Sequence, residues 1–264
     1  MLTEAKNTLR VILLSLKYNI MREMTNTVSF ILNVVMMMFN NSTFIIQWLV
    51  MFSLKDSIGG FGFKEVMLMW GISSATFGIS HLFFDGAYEL DGIVTEGKLD
   101  AYLVQPKNTL LMVITSKTSI SALGDLLYGI IVALIFWHEP HHILLFFIYI
   151  ILGSIIYTAF MLIIHGITFW FPTINDAADS INSLFINFSL YPLDIFNEVI
   201  KIIMFTIIPA GIAVYLPIIS IMNFNLSYLL IVLGAAIIFV LIAFITFYSG
   251  LKKYTSTNLM GSRT

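Results

Sequence analysis

Polar side chains recur every seven residues along the first long apolar stretch of the chain. They are Asn26, Asn33, Asn40 and Gln47, with Ser29 and Thr43 at intervening positions. Because seven residues is close to two helical turns, these groups form one polar stripe on an apolar helix. From Asn33 to Gln47 the stripe covers about 21 Å at a rise of 1.5 Å per residue. The chemistry that such a stripe predicts is hydrogen bonding.

A second polar stripe occurs late in the chain. Asn175, Asn182 and Ser189 repeat at the same spacing, with Asp179 beside them. Polar groups that face lipid are costly, so both stripes should face protein or water. They can be hydrogen-bonding contacts between helices, or they can form the wall of a translocation path. The spacing alone leaves both interpretations open.

A phosphate-binding loop is nearly present at residues 92–99. The run matches G-x4-G-K, but Leu99 stands where Ser or Thr should hold magnesium. Four nearby acidic residues would also repel a triphosphate: Glu89, Asp91, Glu96 and Asp100. We therefore predict that this chain binds neither ATP nor magnesium and does not hydrolyse ATP.

A cluster of potential zinc ligands surrounds Pro140. It consists of His138, Glu139, His141 and His142. A turn this short rarely places several ligands on one ion, so the sequence favours a solvated polar turn and predicts no metal site. Residues 138–142 match HExxH in their letters, but a five-residue turn is not the helix that this motif requires. The motif GxSxG is missing from the sequence, and we expect no catalytic residues. The chain is therefore predicted not to be an enzyme.

Long apolar stretches contain most residues of the two polar stripes. They run over 28–52, 66–84, 120–137, 143–171, 181–221 and 226–250. Hydrophobic residues make up 59% of the chain and charged residues 11%, and the mean hydropathy is +0.94. A helix of about 20 apolar residues crosses a bilayer and satisfies its own backbone hydrogen bonds there. The sequence therefore predicts an all-α polytopic membrane protein with six spans.

The charge balance further limits the class of protein. A net charge of −2 makes nucleic acid an unsuitable partner. Ten of the 13 basic residues lie before the first span, between spans two and three, or after the last span, at Lys6, Arg10, Lys17, Arg22, Lys98, Lys107, Lys117, Lys252, Lys253 and Arg263. The positive-inside rule then predicts that both termini are cytoplasmic. With no Cys in the sequence, disulfides and thiolate metal sites are excluded.

We expect one transmembrane domain over residues 1–264. Residues 1–22 have apolar residues at helical spacing bordered by basic ones, which predicts an interfacial helix or an ordinary amphipathic one. Pro192, Pro209 and Pro217 interrupt the fifth stretch, which predicts short re-entrant helices. The expected spans are 25–53, 65–84, 118–137, 143–171, 175–191 and 224–250, with a cytoplasmic segment at 85–117 and re-entrant helices at 193–221.

A family resemblance accounts for this arrangement. Residues 96–106 read EGKLDAYLVQP, which resembles the E-G-x-L-D-x-x-L-x-x-P signature after the second span of type-2 ABC exporter permeases. The chain is similar in particular to the daunorubicin-resistance-like or multidrug branch, at YPLDIF (191–196), IIPA (207–210), YLP (215–217) and GLKKY (250–254). The resemblance follows the whole chain in order, although Gln105 replaces a basic residue common in that branch.

The resemblance implies a dimer of permeases, identical or sister chains, on two ATPase subunits that bind ATP and magnesium. It implies that a coupling helix docks on the ATPase, with Glu89, Asp91, Glu96, Gly97, Leu99, Asp100 and Pro106 as candidate contacts. It also implies that spans one and five meet near the central path. This favours a path-lining role for Asn33, Asn40, Gln47, Asn175, Asp179, Asn182 and Ser189.

The predicted function is therefore export of a hydrophobic or amphipathic substrate across a bacterial plasma membrane. The alternatives are a gradient-driven transporter or channel and a non-transporting scaffold. A gradient-driven protein needs buried charges within its spans, for which His165, Asp194, Glu198 and Lys201 are candidates. We expect Asp125, near the cytoplasmic end of span three, to pair with Lys117 or Lys98.

Overall fold

The computed structural model describes residues 2–137 and 139–256. Met1, His138 and Arg263, which enter the sequence analysis, lie outside the described residues. Across the described part the chain is helical, and its only strand-like pairing is one isolated bridge between Ile58 and Phe61. The all-α prediction is confirmed.

The helices follow one another with short connections. In chain order they are α1 Leu2–Glu23, α2 Thr27–Leu54, α3 Phe63–Phe84, α4 Leu90–Thr95, α5 Asp100–Leu103, α6 Thr109–Ile114, α7 Ser121–Phe136, α8 Pro140–Gly166, α9 Asn175–Leu190, α10 Glu198–Thr206, α11 Leu216–Met222 and α12 Leu226–Leu251. Single 3-10 turns occur at Asp85–Ala87, Ile167–Phe169 and Leu193–Ile195. A π-helical turn at Gly211–Tyr215 runs directly into α11.

Four helical stretches of the described chain are long and apolar enough to cross a membrane. They are Thr27–Leu54, Phe63–Thr95, Pro140–Phe169 and Leu226–Leu251. A fifth is formed if α10 and the helix Gly211–Met222, which are bent by 81°, count as one broken span. The helix α7 is apolar but only 16 residues long, and α9 carries the amides of the second polar stripe. The chain is a membrane protein, and the count of six spans stays a prediction.

The central helix of the bundle is α3, in which 14 of 22 residues are buried. Its closest neighbour is α7, because glycines remove side chains from the contact. A Cβ atom on Gly129 would lie 2.4 Å from the carbonyl oxygen of Gly71, and one on Gly78 would lie 2.6 Å from the amide nitrogen of Leu126. Substitution of these glycines would therefore force α3 and α7 apart.

Several chain segments meet at one end of the bundle, which we call the segment end because residues 85–117 lie there. The side chain of Asn19 in α1 donates a hydrogen bond to the carbonyl of Ser116 at 3.2 Å. Beyond α12, the Tyr254 hydroxyl donates to Asp100 at 3.0 Å. These contacts place the end of α1, the 85–117 segment and the residues after α12 together, as the distribution of basic residues predicts. The turn at Gly59 lies at the opposite end, beside Pro192 and Ile195.

Proline residues mark the breaks before α12. The helix α9 stops at Tyr191, which is extended at φ −123° and ψ 144°, because the residue before a proline avoids helical geometry. The chain bends again between α10 and Gly211, where Pro209 lies. The last part of this stretch then packs against α8, where Tyr149 donates a hydrogen bond to Ser220 at 2.5 Å.

Candidate functional site

The 85–117 segment is anchored to the bundle by buried leucines. Leu90 and Leu99 are both 0% exposed, and they pack in one apolar cluster with Leu162 of α8 and Phe247 of α12. Leu99 was predicted as an ATPase contact, but the structure places it inside this cluster. Gly97 ends α4 with φ of +72°, a left-handed conformation that favours glycine. Gly97 therefore allows the chain to turn after α4.

Polar contacts tie the same segment to α8 and α12. Nδ1 of the buried His165 lies 3.4 Å from a carboxylate oxygen of Asp91, although the ring is not oriented for a hydrogen bond. Asn108 donates to the Tyr248 hydroxyl at 2.9 Å. Two predicted coupling residues, Asp91 and Asp100, are thus engaged within the chain. A movement of the segment would be transmitted to α8 and α12.

Asp100 and Tyr254 form a partly buried contact at 3.0 Å. Asp100 also accepts a hydrogen bond from the Ser256 hydroxyl at 2.5 Å. Burial, together with the hydrogen bond to Asp100 and the charge of that carboxylate, raises the pKa of Tyr254 to about 12. The tyrosine therefore remains a neutral donor at physiological pH.

The remaining predicted coupling residues are more accessible. Glu89 is about half exposed and pairs with Lys117, while Glu96 pairs with Lys98 at 2.5 Å. Pro106 is exposed. Since both lysines have partners in the segment, the expected pairing of Asp125 with one of them is wrong.

An apolar tip projects from the segment. Leu103, the last residue of α5, is 41% exposed, and Val104, which follows it, is 83% exposed. Exposed apolar residues on a segment that is otherwise held by buried anchors indicate a contact surface. The sequence analysis overlooked these two residues, and their adjacency to Pro106 in the EGKLDAYLVQP run was the available signal.

A cavity of about 380 Å³ lies between α2, α3, α7 and α9. Its polar lining consists of Asn40, Asn41, Ser74, Ser119, Ser121, His81 and Asp125. Its aromatic lining consists of Phe44, Trp70, Phe77 and Tyr157. Cavities of about 300–1,000 Å³ with few polar groups in an apolar wall are typical of small-molecule sites.

Asp125 is positioned in this cavity by the close approach of α7 to α2. A Cβ atom on Gly124 would lie 2.5 Å from the carbonyl oxygen of Val34, so only a glycine permits this contact. The amide of Asn41 then donates to Asp125 at 2.7 Å, and Ser74 donates to Asn41 at 3.3 Å. The resulting chain of hydrogen bonds fixes the orientation of the carboxylate.

The aromatic wall is held by its own contacts. The rings of Phe44 and Trp70 lie 4.3 Å apart, and the Trp70 indole donates to the carbonyl of Leu190 at 3.2 Å. Phe77 and Tyr157 lie 4.8 Å apart. These rings therefore form a preformed apolar wall of the cavity that Asp125 also lines.

The first predicted polar stripe lies on the exposed face of α2. Asn33, Asn40 and Gln47 are all exposed, and Asn40 also lines the cavity. Asn41, the next residue, turns inward to Asp125. Hydrogen bonding by Asn41 and Asp125 was missed in the sequence, although Asp125 is the only acidic residue within the third apolar stretch.

Some residues of the second polar stripe form hydrogen bonds within the bundle, and others are partly or fully exposed. Asn182 accepts a hydrogen bond from the Tyr157 hydroxyl at 2.8 Å, and Ser189 is buried and donates to the carbonyl of Phe185. Asn175 is half-buried and Asp179 is exposed. Asn182 thus contacts the cavity through Tyr157, whereas Ser189 contacts the chain's own helices.

A further cluster lies at the connection between α7 and α8. Ligand atoms of Glu139, His141 and His142 all lie within 4.8 Å of one another, which would allow them to share a metal ion. Glu139 and His141 are exposed. The short turn therefore does bring potential ligands together, contrary to the geometric argument made from the sequence.

Comparison with known families agrees with this architecture. The chain matches the family model described as ABC-2 family transporter protein over residues 35–258. Because the match covers most of the 264 residues, the chain belongs to the ABC-2 transporter family. It is a membrane permease subunit of an ABC transporter, a component that is normally not catalytic and that associates with an ABC ATPase subunit. Searches of curated proteins and of solved structures give no match.

Proposed function

We propose that this permease exports a hydrophobic or amphipathic substrate across a bacterial plasma membrane, with both termini in the cytoplasm. Two separate ATPase subunits bind and hydrolyse ATP with magnesium, and this chain binds neither. A second permease, identical or a sister chain, completes the transporter. Multidrug export by the daunorubicin-resistance-like branch remains part of this proposal.

The observation that carries the proposal is the exposed tip on a firmly tied segment. Leu103 and Val104 are available to a partner, while Leu99 on the same segment is fully buried in the bundle. Asp91 and Asp100 connect the segment to α8 and to the residues after α12. A partner that pulls on the tip therefore moves α8 and α12. A two-state transporter needs a partner that favours one arrangement of its helices over the other, and this connection would allow it.

The exposed amides of α2 support the second permease. Asn33, Asn40 and Gln47 lie on one face of an apolar helix, where contact with lipid would leave them without hydrogen-bond partners. A second permease or a water-filled path against this face supplies those partners. Because Asn40 also lines the cavity, the path would pass beside it.

Co-purification with a co-expressed ABC ATPase subunit tests the proposal. We expect the wild type to retain the ATPase in mild detergent and Val104→Asp to lose most of it, because a charge at the tip opposes an apolar contact. Phe224→Asp is the control, since Phe224 is equally apolar and 63% exposed but lies between α11 and α12. Equal retention by both variants, or no retention by the wild type, would contradict the proposal.

A gradient-driven transporter is the second candidate because Asp125 is ionisable and lies within an apolar helix. Such residues often carry protons or coupling ions. This alternative predicts substrate movement in vesicles that contain a pH gradient and no ATPase. Movement that requires both ATP and the ATPase subunit would exclude it.

A further inference from the structure

We propose that the cavity between α2, α3, α7 and α9 binds a hydrophobic organic cation, with Asp125 as the counter-ion. The inference rests on the proposed function and adds the chemical class of the substrate. The cavity lies beside Asn41, which is about 21 Å along α2 from Thr27 at 1.5 Å per residue. Asn41 is therefore near the middle of α2, and Asp125 reaches it from the first turns of α7.

Asp125 has no basic partner among the described residues. Its Oδ1 accepts from the neutral amide of Asn41, and its Oδ2 has no hydrogen-bond donor in the described part of the chain. His81, the basic residue of the cavity lining, has its Nδ1 2.7 Å from Asp85 instead. A carboxylate within an apolar helix bundle is costly unless it is paired. A ligand cation supplies the missing charge.

The aromatic lining selects a cation that also carries apolar groups. Cations are attracted to the faces of Trp, Tyr and Phe rings within about 6 Å of the ring centre. Phe44, Trp70, Phe77 and Tyr157 line the same cavity as the carboxylate, and Met37 is part of its apolar wall. An inorganic ion would leave this wall without contacts, and an organic anion would be repelled by Asp125.

Access to the cavity is from the polar face of α2. Asn40 is exposed on the surface of the chain and also lines the cavity. A substrate can therefore reach Asp125 from the side on which the proposed second permease lies. The binding site and the proposed path share this residue.

Binding of tetraphenylphosphonium to the purified chain in detergent tests the site. Tetraphenylborate, an anion of the same size and shape, is the ligand control. We expect the wild type to prefer the cation, and Asp125→Asn to weaken its binding by about tenfold or more, because one charged contact is lost. Asp125→Glu should recover part of the affinity. Asp56→Asn, an exposed acid far from the cavity, should bind as the wild type does.

Phe44→Leu provides a second test that leaves the carboxylate in place. Loss of one ring should weaken cation binding by about two- to fivefold. Equal affinity for the two ions, or a cation affinity unaffected by Asp125→Asn and Phe44→Leu, would overturn the inference. The ATPase is absent from this measurement. Cation binding through Asp125 without ATPase recruitment would therefore contradict only the proposed function. ATPase recruitment without cation binding through Asp125 would contradict only this inference.

Discussion

The hydroxyl of Tyr254 donates a hydrogen bond to Asp100 at 3.0 Å, across 154 positions of the sequence. This contact joins the residues after α12 to the 85–117 segment directly below its exposed tip. Because α12 also packs against α8, the contact connects the proposed ATPase surface to two long helices of the bundle. Loss of the contact should therefore affect both stability and coupling.

Tyr254→Phe tests the stability part of this relationship. The variant removes the donor but keeps the ring, so we expect the free energy of unfolding to fall by about 1 kcal/mol. The pKa of Tyr254 is raised to about 12, so its contribution is present below pH 10 and lost as the pH rises through 12. The difference in Tm between wild type and variant should narrow over that interval. A Tm difference that stays constant or widens between pH 10 and 12 would show that the neutral Tyr254 hydroxyl does not stabilise the chain through Asp100.

Removal of Asp91 should destabilise the chain more than removal of Glu96. His165 is 2% exposed, and Asp91→Ala removes the carboxylate beside its ring and the acidic residue in the first turn of α4. We expect a cost of about 1 kcal/mol. Glu96→Ala removes an exposed pair with Lys98 and should leave the Tm unchanged. Thermal unfolding of the two variants gives the comparison. Equal effects would show that the buried pair does not hold the segment.

Gly129→Ala should weaken the contact between α3 and α7. The new methyl group would meet the Gly71 carbonyl at 2.4 Å, and overpacking of this kind costs about 1–3 kcal/mol. Gly234→Ala is the matched control, because no atom lies within 4 Å of the added group and alanine favours helix. Its Tm should be equal to or above that of the wild type. A Gly129→Ala variant as stable as the wild type would contradict the packing.

The hydropathy pattern predicted the long helices well because crossing a bilayer requires long apolar runs. Lengths of α7 and α9 were less predictable, since packing around α3 rather than lipid thickness fixes them. The sequence also placed Asn33, Asn40 and Gln47 on one face of α2, and they are exposed together. It could not show that the adjacent Asn41 turns inward, because its partner Asp125 is 84 positions away.

The same limit applies to the 85–117 segment. Acidic residues there suggest contacts with a basic partner, but the sequence does not show which of them are already paired. Asp91 and Asp100 find partners on α8 and after α12, far along the chain, and Leu99 is buried. The exposure of Val104, in contrast to the burial of Leu99, follows from where those neighbours lie.

The exposed amides of α2 predict a contact between two copies of the chain. The natural sequence has no Cys, so a single introduced cysteine can cross-link only to its equivalent. If the second permease is an identical chain, Asn40→Cys should form disulfide dimers in membranes. Ile238→Cys, 56% exposed on α12, should not. Cross-linking of Ile238→Cys alone would place the interface on the wrong face, and no cross-linking of Asn40→Cys would favour a sister chain.

ATP turnover in proteoliposomes tests the central claim most directly. The ATPase would be measured alone, with the wild-type chain, and with Val104→Asp reconstituted in equal amount, with Phe224→Asp as the control. We expect the wild type and Phe224→Asp to change the turnover rate several-fold, and Val104→Asp to leave it at the rate of the ATPase alone. If Val104→Asp changes the rate as much as the wild type does, or if the wild type has no effect, the tip does not couple this permease to ATP hydrolysis.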